Sequence, residues 1–168
     1  MRLPKRPDKG CKRLLDDAER FAQLIRRSTH RPFTLSESRY VMRQLLASAH
    51  RASKNAHCPY SHFHVGAAAW DGASLFVGCN VENASYGLTQ CAERVALTSA
   101  TAQGARRIRA LALVTPDNSP KAVLSLRTPC GACRQVMMEL MDDETPILIE
   151  GAGIFTLKEL LPNAFRLK

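Results

Sequence analysis

The chain has 168 residues and a mass of 18.6 kDa, the size of one globular domain, which nearly excludes a two-domain enzyme. Hydrophobic residues make up 45% of it and charged residues 23%, and no apolar run approaches the roughly 18 residues that cross a bilayer, so we expect a soluble protein. The formal net charge of +9 raises the question of whether the protein binds a polyanion. The distribution of the basic residues along the chain helps to answer it.

The positive charge is concentrated at the start of the chain. Residues 1–35 carry ten of the 24 basic and four of the 15 acidic side chains. Residues 36–168 are nearly balanced, and aromatic residues are only 6% of the chain, which disfavours nucleic-acid binding. The N-terminus lacks the apolar stretch of a signal peptide, and its acidic residues disfavour a transit peptide, so we expect a cytoplasmic protein. We predict a basic extension over residues 1–35 and a catalytic domain over residues 36–168.

Within the extension, apolar residues recur at helical spacing between charged ones. Leu14, Ala18, Phe21 and Ile25 predict an amphipathic helix over about residues 12–27. Its apolar stripe needs a partner surface, and we expect it to dock on the body of the protein.

A second helix is predicted to begin after Thr34, because Thr34 and Glu37 have the spacing of a capping box, and to run towards His57. Its expected inward face consists of Tyr40, Leu45, Ala49 and Ala52.

The rest of the chain alternates strand-like and helix-like segments. Residues 64–70 and 73–81 are apolar runs joined at Asp71-Gly72, which indicates a β-hairpin. The later segments are a helix over residues 90–103, a strand over 108–115, a helix beginning near Pro129, a strand over 146–150 and a helix over 156–161. This alternation predicts an α/β protein in which the strands after the hairpin run parallel and helices cover the sheet.

The six cysteines provide the first chemical signal. An even number would indicate disulfides in a small secreted protein, but without a secretion signal we favour metal binding or catalysis. Residues 129–133 (PCGAC) place two thiols three positions apart at a helix start, where free amide groups and the helix dipole lower thiol pKa values. Alone, this pair is compatible with zinc, with a redox dithiol or with inert buried cysteines.

A third thiol comes with a carboxylate. Cys91 and Glu93 lie at the predicted start of a helix, so Cys91 could join Cys130 and Cys133 around one metal ion. Three protein ligands leave a fourth position open, which is typical of catalytic zinc. A glutamate two residues after the first ligand, with a downstream Pro-Cys-x-x-Cys, is the pattern of zinc deaminases.

Together these segments closely resemble the small, homotetrameric cytidine deaminases, from about residue 36 to residue 168. The motifs that carry the resemblance are residues 58–63 (CPYSHF), 78–84 (GCNVENA), 91–94 (CAER), 129–135 (PCGACRQ) and 159–162 (ELLP).

The resemblance implies a three-layer α/β fold with a five-stranded mixed sheet flanked by helices. It also implies one zinc ion per chain, held by Cys91, Cys130 and Cys133. Zinc lowers the pKa of its water to about 7, and Glu93 is expected to move protons from this water to the substrate ring nitrogen and the leaving ammonia. Arg94 is expected to donate to the ligand sulfurs and offset their negative charge.

For substrate binding, the resemblance implies that Phe63 packs against the pyrimidine, that Asn80 and Glu82 bond the sugar hydroxyls, and that Phe165 reaches a neighbouring subunit's pocket. His64 is a departure, because the family commonly has proline at this position.

The implied activity is deamination of cytidine and 2′-deoxycytidine to uridine and 2′-deoxyuridine. One alternative is deamination of a cytosine-containing antibiotic such as blasticidin S, which the complete Asn80 and Glu82 pair disfavours. From another class, the alternative is a zinc-stabilised module that binds nucleic acid through the basic N-terminus, which leaves Glu93 unexplained.

Overall fold

A computed structural model describes residues 17–119 and 121–167 of the chain. They form a five-stranded sheet in the order β2-β1-β3-β4-β5 with helices on both faces, which confirms the predicted fold class. The strands are β1 (Gly66–Trp70), β2 (Leu75–Cys79), β3 (Ala110–Val114), β4 (Pro146–Ile149) and β5 (Gly153–Thr156). The helices are α1 (Ala18–Thr29), α2 (Leu35–Ser53), α3 (Ala92–Ala102), α4 (Gly131–Leu140) and α5 (Leu157–Leu160), with 3₁₀ turns at Tyr86–Leu88 and Leu124–Leu126.

The sheet is mixed, as the resemblance implied. Strand β1 pairs antiparallel with both β2 and β3, and β3 pairs parallel with β4, as the order of segments predicted. Strand β5 pairs antiparallel with β4 and was not predicted as a segment, because four residues directly before a helix carry too short an alternation to detect.

Helix α2 begins where the capping box predicts. The Glu37 amide donates to Thr34 Oγ1 over 3.2 Å, and the Thr34 amide donates to Glu37 Oε2 over 2.7 Å. The helix ends at Ser53, earlier than predicted. The prediction that Tyr40 faces inward is wrong: its side chain is 65% exposed, and Met42, two positions on, is fully buried.

Two hydrophobic clusters lie on opposite faces of the sheet, and the strands alternate between them. In β1, Ala67 and Ala69 face the cluster formed with α3, α4 and α5, whereas Ala68 faces the cluster formed with α1 and α2. Small side chains and glycines let the helices approach closely. A Cβ at Gly78 would lie 2.4 Å from the Ala92 carbonyl oxygen, so β2 admits the start of α3 only because residue 78 is glycine.

Helix α1 docks on the body of its own chain. Phe21 and Ile25 are buried in one cluster with Met42 and Leu148, and Arg20 makes an ion pair with Glu159 at 2.8 Å. The helix ends at Thr29, two residues later than predicted, while Leu14 and the predicted start of the helix lie outside the described residues. Among the described residues, no helix combines the length and the apolar character that crossing a membrane requires.

Candidate metal centre and active site

Three cysteines from two separate segments of the chain meet in the structure. The Sγ atoms of Cys91, Cys130 and Cys133 all lie within 4.8 Å of one another, and those of Cys130 and Cys133 are 3.5 Å apart. Sulfurs at about 2.3 Å from a tetrahedral zinc ion are separated by about 3.8 Å, so the three side chains fit zinc.

The local backbone explains why the thiols converge. Cys91 and Cys130 are the N-cap residues of α3 and α4, each with extended φ and ψ angles, and Cys133 lies in the first turn of α4. Neither N-cap side chain makes a capping hydrogen bond. Two helix N-termini therefore present unpaired amide groups and positive dipole ends to the sulfurs, which favours thiolates and a cation between them.

The thiols influence one another electrostatically. A hydrogen bond from Cys133 and the neighbouring Arg94 guanidinium lower the pKa of Cys91. The same hydrogen bond, together with burial, raises the pKa of Cys133. The surroundings therefore favour the ionised form of Cys91 over that of Cys133.

Glu93 lies on the first turn of α3, two residues after Cys91, and only 4% of it is exposed. Burial raises the pKa of Glu93 to about 7, and the Cys91 thiolate adds to this effect. A carboxyl group in this position is close to the sulfur cluster and screened from bulk water. It is therefore suited to exchange protons with a group bound at the metal position.

Arg94 follows Glu93 in the first turn of α3. Its Nη2 donates to the Thr89 carbonyl oxygen and lies 3.9 Å from Cys91 Sγ. Its Nε is buried, with no hydrogen-bond partner among the residues that the structure describes. The guanidinium thus places positive charge near the Cys91 sulfur.

On the substrate side, the polar side chains bond the loop that carries Phe63. Asn80 follows β2 and is 7% exposed. Its Nδ2 donates to the Phe63 carbonyl oxygen over 2.8 Å, and its Oδ1 accepts from the Val65 amide over 2.8 Å. The Asn80 amide group therefore clamps the backbone on both sides of His64.

Glu82 holds the preceding part of the same loop. Its Oε2 accepts from the Tyr60 amide over 3.0 Å and from the Ser61 amide over 3.2 Å, and its Oε1 accepts from the Ser61 hydroxyl. These bonds, with the Ser61 hydroxyl foremost, lower the pKa of Glu82. The side chain is partly exposed, so the carboxylate retains a lone pair for another donor.

Phe165 stands apart from the other predicted site residues. Its side chain is 68% exposed, and its carbonyl oxygen accepts a hydrogen bond of 2.8 Å from Gln135 Nε2. Gln135 is two residues after Cys133, so the C-terminal segment is fastened to the helix that carries two of the thiols. Within a single chain the aromatic ring of Phe165 is free to contact another molecule.

Sequence reasoning missed two arginines that shape the approach to Cys130. Arg134 donates to the carbonyl oxygens of Pro129 and Leu160, each over 2.7 Å, and Arg127 is buried and donates to the carbonyl oxygens of Ser119 and Glu150. Arg134 directly follows Cys133, and that adjacency was the one available signal. For Arg127 the sequence carries no signal, because its partners are backbone atoms of distant loops.

Comparison with known proteins agrees with this geometry. Residues 37–149 match the family model described as the cytidine and deoxycytidylate deaminase zinc-binding region. The chain belongs to this family. The matched region contains all three clustered cysteines and Glu93, and zinc is the cofactor of this chain.

Individual relatives support the assignment over most of their length. The chain is 45% identical to the cytidine deaminase of Halalkalibacterium halodurans in an alignment of 127 positions that covers 72% of this chain and 91% of the relative. It is 40% identical to the cytidine deaminase of Sporosarcina psychrophila, across 73% of this chain and 89% of that protein. The crystal structure of cytidine deaminase from Mycobacterium tuberculosis is similar with a TM-score of 0.65 and 43% identity, covering 74% of this chain and 97% of the other.

Proposed function

We propose that the protein catalyses the hydrolytic deamination of cytidine and 2′-deoxycytidine, releasing ammonia and forming uridine and 2′-deoxyuridine. The observation that carries this proposal is the buried Glu93 beside three sulfur atoms gathered at two helix N-termini. A structural zinc site has no need of such a carboxyl group, whereas a hydrolytic reaction that moves several protons does. Family membership and the cytidine deaminase relatives support the same reaction.

Cys91, Cys130 and Cys133 are the proposed zinc ligands. Three thiolates would leave one coordination position of zinc for a non-protein ligand, and the buried Glu93 is close to the sulfur cluster. When bound, zinc supplies a water molecule whose pKa is lowered to about 7, so that a nucleophile is present at neutral pH.

Glu93 is the proposed proton carrier. Expelling an amino group from cytosine requires a proton on the ring nitrogen N3 and later a proton on the departing nitrogen. Glu93 takes one proton from the attacking water and delivers it to N3. It then takes the second proton from the hydroxyl now on the ring carbon and delivers it to the amino group, which leaves as ammonia. Its burial prevents bulk water from taking its place.

Arg94 is proposed to balance charge. Three thiolates exceed the charge of Zn²⁺ by one, which weakens the metal as a Lewis acid. The guanidinium 3.9 Å from Cys91 Sγ withdraws electron density from that sulfur and restores part of the electrophilic character.

The substrate contacts are proposed for Phe63, Asn80, Glu82 and Phe165. Phe63 packs against the pyrimidine ring, and the remaining lone pair of the Glu82 carboxylate accepts from a sugar hydroxyl next to Asn80. Phe165, exposed on one chain, closes the pocket of a neighbouring subunit. A free base has no sugar hydroxyl that can donate to Glu82, so this contact favours nucleosides over free bases.

We propose a cytoplasmic homotetramer. Large apolar side chains that a monomer would expose to water support the assembly: Tyr60, Tyr86, Leu88 and Phe165 are each more than half exposed. Light scattering on the full chain tests it. A monomeric, fully active full-length protein would contradict the tetramer.

Ammonia release from cytidine, measured together with zinc content, tests the reaction. We expect one zinc per chain and ammonia release from cytidine and 2′-deoxycytidine, with little from cytosine, a cytidine phosphate or blasticidin S. Glu93→Gln is the control for contaminating activity. Zinc without ammonia release would favour a zinc-stabilised binding module, and preferential release from blasticidin S would favour an antibiotic deaminase.

A further inference from the structure

Residues 60–65, here called the Phe63 segment, form an irregular stretch between α2 and β1 in which His62 has a left-handed φ of 54°. Such a conformation is strained for a residue other than glycine and persists only where surrounding contacts fix it. We propose that Asp117, which follows β3, is a positioning residue that fixes this segment through His64 and so sets the direction of the Phe63 ring. The proposal rests on the proposed function, in which that ring packs against the pyrimidine.

The contacts of Asp117 are concentrated on one residue. Its Oδ2 accepts from the His64 backbone amide over 2.6 Å and lies 2.8 Å from His64 Nδ1. The backbone and side-chain hydrogen bonds of His64 lower the pKa of the Asp117 carboxyl group. One carboxylate oxygen thus restrains both the backbone and the ring of His64.

The peptide group between Phe63 and His64 is held from both ends. Asn80 Nδ2 donates to its carbonyl oxygen, and Asp117 accepts from its amide nitrogen. Because both ends of this peptide plane are held, the rotation about the Cα–C bond of Phe63, its ψ angle, is fixed. The orientation of the Phe63 side chain then depends on Asp117 as much as on Asn80.

Asp117 is itself on a fastened loop. Asn118 Nδ2 donates to the Leu126 carbonyl oxygen over 2.9 Å, and the buried Arg127 donates to the Ser119 carbonyl oxygen. The same loop continues to Cys130. One loop therefore sets both a zinc ligand and, through Asp117, the aromatic wall of the pocket.

A role in overall stability does not account for this pair. The side chains of His64 and Asp117 are 41% and 42% exposed, and ion pairs at such exposure contribute little to folding. Removing the Asp117 carboxylate should therefore alter the local segment while the fold and the cysteine cluster are retained.

The test compares Asp117→Ala and Asp117→Asn with Asp71→Ala. Asp71 is a matched control because its carboxylate accepts from two backbone amides in the hairpin turn, at 2.8 and 2.7 Å, and has no role in the site. We expect Asp117→Ala to raise KM for cytidine about tenfold with kcat within about threefold and zinc content unchanged. Asp117→Asn keeps an acceptor for the His64 amide and should recover most of the loss, while Asp71→Ala leaves KM unchanged.

Hydrogen exchange at the His64 amide gives a readout that does not need activity. We expect faster exchange in Asp117→Ala and no change in Asp71→Ala. Unchanged exchange, an unchanged KM, or a KM loss that Asp117→Asn does not reduce would overturn the proposal. If the wild-type protein releases no ammonia, and the His64 amide exchanges faster in Asp117→Ala than in the wild type, the proposed function is contradicted and the positioning contact is established.

Discussion

The two sides of the candidate site are built in opposite ways. On the metal side, Cys91 and Cys130 are N-cap residues that make no capping bonds to the backbone, and Cys133 lies in the first turn of α4. On the substrate side, Asn80 and Glu82 are already bonded to the backbone of the Phe63 segment. The metal side therefore offers side chains to a ligand, whereas the substrate side uses its polar groups to shape a loop.

This difference separates two kinds of mutational effect. A substitution among the cysteines removes a ligand without removing an interaction that holds the protein backbone. A substitution of Asn80 or Glu82 removes bonds that hold the loop and, with them, a proposed substrate contact. We expect the metal side to behave as an independent unit and the substrate side to show mixed effects.

The largest effect is expected on the metal side. Replacing Cys91, Cys130 or Cys133 by Ala removes one of three ligands, so zinc and activity should be lost together. Metal analysis and ammonia release on each purified variant measure this. Cys79→Ala is the matched control, because Cys79 lies outside the cysteine cluster and its Sγ donates to the Asn55 carbonyl oxygen, so zinc should stay at one per chain. Full zinc content in all three variants would contradict the ligand set.

The second effect separates chemistry from metal binding. Glu93→Gln keeps the shape of the buried side chain but removes its ability to carry protons, so kcat should fall by roughly 10² to 10⁴-fold with zinc retained. Ammonia release and zinc content measured on one preparation check this. Glu139→Gln, an exposed glutamate on α4, should change neither quantity. A nearly active Glu93→Gln protein would place the proton carrier elsewhere.

The sequence predicted the metal side better than the substrate side, because the metal side is built from residues that are close together in the sequence. The spacing of Cys130 and Cys133 and that of Cys91 and Glu93 place each pair within one helical turn, so short motifs carry most of the geometry. The capping box at Thr34 was predicted for the same reason.

Loop contacts could not be predicted in this way. The bond between Asp117 and His64 joins residues 53 positions apart, and no periodicity reports it. Tyr40 was misplaced because an amphipathic pattern does not fix which of several adjacent apolar side chains faces inward, and Met42 occupies the buried position. The role of Phe165 stays a prediction, since it depends on a second subunit.

A smaller, mixed effect is expected at Glu82. Glu82→Ala removes one hydrogen bond to a charged acceptor, so it should lower kcat/KM for cytidine about tenfold to a hundredfold. The loss for cytosine, which has no sugar hydroxyls, should be smaller and reflects only the loosened contacts to Tyr60 and Ser61. Parallel kinetics with both substrates measure the two parts. Equal losses would show that Glu82 acts through the loop alone.

The smallest effect is expected at the capping box of α2, which belongs to neither side of the site. Thr34→Ala removes the acceptor for the Glu37 amide and should cost about 1 kcal/mol of unfolding free energy, which denaturant titration measures. Zinc content and KM should stay unchanged, since α2 carries none of the proposed ligands. A change in either would show that the substrate side is coupled to α2 and is not held by its own contacts.

The contribution of this capping box to the stability of the folded protein depends on pH in a definite direction. The hydrogen bonds from Thr34 lower the pKa of Glu37, so the ionised carboxylate stabilises the folded protein above the ordinary carboxyl pKa. This contribution is lost as the pH falls through the lowered value. Thermal unfolding of Glu37→Ala should therefore show a deficit against the wild type at pH 7 that narrows under acid conditions. A deficit that is constant across this range would assign the effect to helix propensity and not to the charged cap, because propensity does not titrate.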